Sequence, residues 1–239
     1  MSEHTLLVVL AHPDDESFAI GGTLAKYAAE GVRVVLVCAT RGEAGIPGLP
    51  AGAAAQVRER ELRRAAATLG VAQVRFLGYP DGALARAEAE AVVSALVDAM
   101  HELRPQVVVT FGPDGISGHP DHVAIHRLTT RAFDRAGLPA CLYYIAPSEA
   151  TVQGCGVAPP ETVARGPVVG IDVSAHLVAK VRAMQRHASQ APPFPGLPEV
   201  EATRLACHEY FTRARPTDRK GDATDLFCVA PKEEIAWQC

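Results

Sequence analysis

No Cys-x-x-Cys pair occurs among the six cysteines, Cys38, Cys141, Cys155, Cys207, Cys228 and Cys239. Several lie inside apolar runs such as VVLVCAT and DLFCVA, which suits buried thiols in a reducing compartment better than a disulfide framework. No run of five or six like charges is present, and the formal net charge is −4. A charged interaction tail and overall attraction to nucleic acid or an anionic membrane are therefore not expected. No stretch approaches the about 18 apolar residues of a membrane-spanning helix. The opening MSEHTLLVVLAHPDDE lacks a basic region and has only a short apolar run, unlike a signal peptide. A cytoplasmic location is the expectation. The G-x-G-x-x-G fingerprint is also missing: Gly21-Gly22 stand alone, and His-Pro-Asp-Asp fills the turn where phosphate-facing glycines belong. Nicotinamide binding is thereby excluded.

What is present is a regular alternation of elements. The 239 residues suffice for a large core without disulfides or a structural metal. Leu6–Leu10, Val32–Ala39 and Gln106–Phe111 are short apolar runs that read as buried strands, and Gln73–Leu77 reads as a further strand. Helical patterns follow at Thr23–Glu30, Gln56–Leu69, Ala87–Leu103 and Val123–Ala136, with Thr40 to about Ala55 a long loop. This spacing predicts parallel βαβ units and an α/β fold with a Rossmann-like, doubly wound, mostly parallel sheet over about residues 1–135. A C-terminal α/β extension over about 136–239 is expected to complete a single domain. In it, Cys141–Ala146, Pro167–Val173 and Leu226–Ala230 read as strands, and Ser174–Ser189 and Glu199–Thr212 as helices. No internal repeat is visible.

Two polar segments follow buried strands: His12-Pro13-Asp14-Asp15-Glu16 and Gly118-His119-Pro120-Asp121-His122. Open α/β sheets bind ligands outside the carboxyl ends of their strands, where strand order reverses. If the first and fourth strands are neighbours, the two loops meet in one crevice. Their imidazoles and carboxylates make up the ligand set of a hydrolytic zinc site. Zinc lowers the pKa of bound water to about 7. A carboxylate can then take its proton, and a second imidazole can stabilise an oxyanion or protonate a leaving amine. Residue types alone leave open which residue has which role.

AHPDDE after an N-terminal strand, followed later by GHPDH, resembles the PIG-L/LmbE-like family of zinc-dependent N-acetylglucosamine deacetylases. That family includes deacetylases of mycothiol, bacillithiol and glycosylphosphatidylinositol biosynthesis. GGTLAKYAAEG, CATRGEAG, the Arg58–Gly70 helix, GYPDG, Lys180 and His187-Ala188-Ser189-Gln190 extend the likeness over most of residues 5 to 190. The resemblance implies His12, Asp15 and His122 as ligands of zinc, with iron(II) as the alternative metal. It implies Asp14 as general base and His119 as the electrophilic or acidic imidazole, oriented and held charged by Asp121. Glu43, Arg58 and Asp81 match family positions near the sugar of a small amino-sugar substrate, a glucosamine joined to malate, inositol or inositol phosphate. Relatives suggest a homo-oligomer.

Blander readings stand beside these. Arg58 lies in a helix whose charges are most simply a solvated, salt-bridged face. His126 shares a helix face with His122 and is expected to be a surface histidine. His187 and Gln190 can serve as packing or capping residues. Tyr143 and Tyr144 fall in a strand-like run, and a tyrosine reaching the carbonyl oxygen is an open alternative. A thiol-conjugate amidase of the same fold and a non-catalytic sugar-binding module are the rival functions. The paired base and acid count against the second.

Overall fold

The computed structural model describes residues 4–146, 168–190, 207–216 and 224–227. The strands β1 (Thr5–Leu10), β2 (Arg33–Cys38), β3 (Gln73–Phe76), β4 (Val107–Phe111), β5 (Cys141–Ala146), β6 (Val168–Asp172) and β7 (His208–Arg215) form one sheet in the order β3-β2-β1-β4-β5-β7-β6. The first five are parallel; β7 runs antiparallel to β5 and β6. The helices are α1 (Asp15–Ala29), α2 (Ala51–Thr68), α3 (Ala89–Leu103), α4 (Pro120–Ala136) and α5 (Leu177–Arg186). Every residue of β1 and β4 is buried, as the continuous apolar runs require.

β1 pairs with β2 on one side and β4 on the other, with Leu6 opposite both Val34 and Val107. Strand order reverses at this point, and both polar loops leave the sheet there, at the carboxyl ends of β1 and β4.

Three helices, α1, α2 and α4, start earlier than the sequence predicts. α1 begins at Asp15 rather than Thr23, and its kink at Ile20 separates a first turn carrying Asp15 and Glu16 from the apolar remainder. Acidic residues in a first turn favour a helix N-terminus electrostatically, which the apolar pattern alone does not register. α2 takes in Ala51-Gly52-Ala53-Ala54-Ala55, where alanine's helix propensity prevails over the glycine. α4 begins at Pro120, an N-terminal position that suits proline's fixed φ, with His119 as its cap.

Two expectations in the extension are corrected. The expected Glu199–Thr212 helix is strand β7 from His208 onward; its residues 199–206 lie outside the described residues. Its buried Glu209 disguises the strand pattern, because that carboxylate is satisfied by the amides of Gly22 and Thr23 and by Lys180 Nζ at 3.0, 2.7 and 2.6 Å. The expected strand at Leu226 is, over its described residues Leu226 and Phe227, a non-strand segment. There the Leu226 amide donates to Tyr27 Oη, which itself donates to Asp225. Gly22 faces Val173, with the place of a Cβ only 2.6–2.9 Å from its side-chain carbons. This close approach, rather than a phosphate, is what the Gly21-Gly22 pair serves. α5 packs on α1 and α2, bringing its C-terminal end under the site.

Candidate active site

Ala11 ends the β1 segment, and its carbonyl accepts from both the amide and the hydroxyl of Thr40 at 3.0 Å, pinning the two loops together. His12 and Asp15 follow on one loop, and the His12 amide donates to Asp15 Oδ2 at 2.7 Å. The cap of α4 and its first turn supply His119, Asp121 and His122. The result joins residues 110 positions apart: His12 Nδ1 lies 3.1 Å from His122 Nε2. Asp15 Oδ1 is 3.3 Å from His122 Nε2, and Asp15 Oδ2 is 3.7 Å from His12 Nδ1.

The outer nitrogens of both rings are engaged. His122 Nδ1 lies 3.0 Å from the Gly115 carbonyl, which can only accept. The proton of the neutral ring is therefore on Nδ1, leaving Nε2 bare. His122 also stacks on Phe111, with ring centroids 4.0 Å apart. His12 Nε2 faces Asp81 Oδ1 at 3.1 Å and Asp121 Oδ2 at 3.3 Å, so its proton points to carboxylates and Nδ1 turns inward. Imidazoles fixed by outer acceptors in this way are the usual partners of a bound metal.

Two other trios among the described residues have ligand atoms within 4.8 Å of one another, His12–His119–His122 and His12–Asp81–Asp121. In the second, both carboxylates are already occupied: Asp81 accepts from the Ala44 amide, and Asp121 from the Gly82 and Leu84 amides. In the first, His119 Nδ1 accepts the Asp121 amide at 3.2 Å. The set His12 Nδ1, Asp15 Oδ1 and His122 Nε2 has inward lone pairs from all three residues, and its chemistry fits a divalent cation.

Charge supports that fit. Burial would lower the pKa of His12, but Asp121, Asp81 and Asp15 override it and raise it to about 10. Burial acts the same way on His122, yet Asp15 holds its pKa up. Asp15 itself, despite burial, is held down to about 2 by His122 and His12. In the metal-free protein the carboxylates thus favour protonated His12 and His122 rings, and their inward lone pairs are free once a cation takes the place of those protons. Asp14 behaves oppositely: burial, then the charge of Asp15, pushes its carboxyl up to about 7, against the pull of Arg58. A carboxylate with a pKa near neutrality is poised to take a proton.

Arg58 is buried, at 4% exposure, although its neighbours on α2 form the expected solvated face through Glu59, Arg63 and Arg41. Its guanidinium lies 3.1 Å from Asp14 Oδ2 and donates to the carbonyls of Pro13 and Gly42. The loop closes tightly over it: a Cβ at Gly42 or Gly45 would come within 2.3 Å of Nη1. Glu43 Oε1 accepts the Asp81 amide at 2.9 Å. All three residues matched to the sugar side therefore lie beside the site, each with protein partners.

Several expectations change. The Asp121 carboxylate makes its hydrogen bonds to His12, Gly82 and Leu84 rather than to His119, which it meets through its backbone amide and through its charge. Burial, then the positive rings of His12 and His122, lower the His119 pKa, against the pull of Asp121 and Asp15. Tyr143 Oη accepts from Arg213 and Tyr144 Oη pairs with Thr130, so both hydroxyls are engaged in the fold. His126 is buried rather than on the surface, with Nδ1 2.8 Å from the Phe111 carbonyl. Glu16, part of the first motif but without an expected role, is fully buried and accepts from the Asp14 amide. Its place in the first polar segment was the sequence signal for it.

The family profile described as GlcNAc-PI de-N-acetylase, PIG-L, matches residues 7–133. The chain belongs to the PIG-L family. It is 36% identical, over 93% of its own length and 94% of the relative's, to a 1D-myo-inositol 2-acetamido-2-deoxy-alpha-D-glucopyranoside deacetylase of Acidothermus cellulolyticus. The protein of the same description from Saccharomonospora viridis is 34% identical, with 93% and 99% covered. Among solved structures, the conserved protein TT1542 from Thermus thermophilus superposes with a TM-score of 0.67 at 28% identity, covering 90% of this PIG-L family member and 96% of that chain.

Proposed function

We propose that this protein removes the N-acetyl group from an N-acetylglucosamine conjugate, releasing acetate and the free amine, with an inositol-type aglycone. The observation that carries the reading is the convergence of His12 Nδ1, Asp15 Oδ1 and His122 Nε2 next to Asp14, a carboxyl pushed up to about 7. The aglycone follows the relatives, whose names specify an inositol glycoside. A malate-linked substrate has no such support.

In this reading His12, Asp15 and His122 hold zinc, or iron(II) in its place. The metal supplies Lewis-acid polarisation and an acidified water. Asp14 accepts a proton from the water that attacks the acetamide carbon. Arg58 holds Asp14 in place through its 3.1 Å contact with Oδ2. His119 accepts the Asp121 amide at Nδ1, so its proton sits on Nε2, from which it can donate a hydrogen bond to the developing oxyanion. The C–O bond to the former water forms as the carbonyl π bond opens, and the C–N bond then breaks as the proton held by Asp14 passes to the leaving nitrogen. Asp121 and Asp81 orient His12. Glu43, Asp81 and Arg58 retain acceptor and donor capacity for sugar hydroxyls beyond the protein contacts they already make.

The test is acetate release by zinc- and iron(II)-loaded protein from N-acetylglucosaminyl-inositol, N-acetylglucosaminyl-malate and N,N'-diacetylchitobiose, with a cysteinyl amide of glucosaminyl-inositol alongside. Preference for the inositol conjugate is expected. Cleavage of the cysteinyl amide alone would replace deacetylation by amidase activity, and no turnover of any of them would sink the reading.

A further inference from the structure

Asp14 has φ 119° and ψ −32°, a backbone conformation that residues with a side chain rarely adopt. Such a residue persists only where its surroundings over-determine it. Its carbonyl accepts the Ser17 and Phe18 amides at 3.0 and 3.1 Å, which is the ordinary start of α1. Its amide is held differently: it donates to Glu16 Oε2 at 3.0 Å. Glu16 is fully buried, and its other oxygen accepts from Ser17 Oγ at 2.6 Å and faces His187 Nε2 at 2.7 Å.

His187 stands at the C-terminal end of α5, 171 residues from Glu16, and is 1% exposed. Its Nδ1 is buried without a hydrogen-bond partner among the described residues. An unpaired buried nitrogen is unfavourable, so the ring is placed for its single contact with Glu16. The residues after it fix that placement. Ser189 donates through its amide and hydroxyl to Glu61, at 2.9 and 2.6 Å, and Gln190 Nε2 reaches the Gly45 carbonyl at 3.3 Å. Glu61 belongs to the same helix as Arg58, and Gly45 to the loop that closes over Arg58. A turn of the C-terminal extension therefore joins the pieces that surround Asp14.

We propose that Glu16 and His187 are positioning residues for Asp14: His187 fixes the Glu16 carboxylate, and Glu16 fixes the strained amide of Asp14, which keeps the Asp14 carboxylate in its place against Arg58. The proposal rests on the reading of Asp14 as general base. A carboxylate is required at position 16 because its two oxygens accept from three donors, the Asp14 amide, the Ser17 hydroxyl and His187. An amide side chain has one acceptor oxygen and would turn an NH2 group toward a donor.

The test uses the full-length zinc-loaded protein with N-acetylglucosaminyl-inositol. Glu16→Gln and His187→Gln are expected to lower kcat roughly 10- to 100-fold, since small misplacement of a reacting group costs on this scale. KM and zinc stoichiometry should stay unchanged, which separates positioning from lost binding. In an Asp14→Asn background, adding Glu16→Gln should cause no further loss, whereas a general structural role would lower the residual rate again. Independently of turnover, the Asp14 amide proton of zinc-free protein should move upfield in the NMR spectrum of Glu16→Gln. An active wild type with undiminished kcat in both variants overturns the positioning role alone, as does a full further loss in the Asp14→Asn background. Absence of acetate release by the wild type overturns the deacetylase reading and this proposal with it.

Discussion

The guanidinium of Arg58 lies 3.1 Å from Asp14 Oδ2 while it also holds the carbonyls of Pro13 and Gly42. Burial and Asp15 raise the Asp14 pKa to about 7, and Arg58 is the first-ranked influence opposing them. Arg58→Met removes that opposition, so the Asp14 pKa rises further. The acidic limb of the kcat/KM profile should move to higher pH, with a loss at neutral pH of roughly 10-fold or more. A pH–rate profile of the variant decides it; an unmoved limb would detach Arg58 from the base.

Residues assigned to the metal and to the proton should separate by metal content. His12→Ala and His122→Ala are expected to lose bound zinc, because each removes one of three converging ligands. Asp14→Ala is expected to keep zinc and lose roughly 100-fold or more in kcat. Elemental analysis beside acetate release reads both, and full activity in Asp14→Ala would discard it as the base.

Asp121 is expected to act on metal affinity through His12. Its carboxylate accepts from the Gly82 and Leu84 amides and from His12 Nε2. Asp121→Asn leaves one acceptor oxygen for these donors. Outer partners of ligating imidazoles are worth about 10- to 100-fold in metal affinity. Chelator competition should show a loss of that size, and unchanged affinity would return Asp121 to a role confined to His119.

Gly22→Ala should destabilise the protein by about 1–3 kcal/mol, the usual cost of overpacking. The new Cβ would meet Val173 at 2.6–2.9 Å. Val173→Ala opens that space, so the double variant should recover part of the loss. Urea midpoints of the four proteins test this; equal stability of wild type and Gly22→Ala would rule it out.

His126 should make stability fall in acid. Burial lowers its pKa below 6.5, against the pull of the Phe111 carbonyl. Below pH 6.5 the unfolded chain therefore binds a proton that the fold resists. The contribution is complete above that pH and is lost as pH falls toward the depressed native value. His126→Asn should flatten the decline in urea midpoint between about pH 8 and pH 5. A decline as steep as wild type would assign the acid sensitivity to other groups.

Strands β1, β2 and β4 were legible almost to the residue, because parallel strands buried on both faces read as nearly unbroken apolar runs, while the half-buried β3 was placed by its spacing between helices. The meeting of the two polar loops followed from the same pattern, since β1 and β4 flank the reversal of strand order. What stayed hidden depends on buried polar atoms finding partners far along the chain. Glu209 makes β7 look helical until the amides of Gly22 and Thr23 are beside it. Asp121 looks like the partner of the adjacent His119 until α4 turns its carboxylate toward Gly82 and Leu84. The His187–Glu16 contact spans 171 positions, and no local periodicity reports it.

The tethering of α1 by distant residues has a consequence for how the molecule comes to exist. The three converging ligand residues, and the five parallel strands beneath them, all lie before residue 147. The groups that hold α1 from outside, His187, Glu209 and the Asp225–Leu226 pair on Tyr27, come afterwards. Contacts this far apart in sequence close late in folding. On the proposed reading, a chain emerging from the ribosome carries all three candidate ligands before the residues that tie down its first helix have been made.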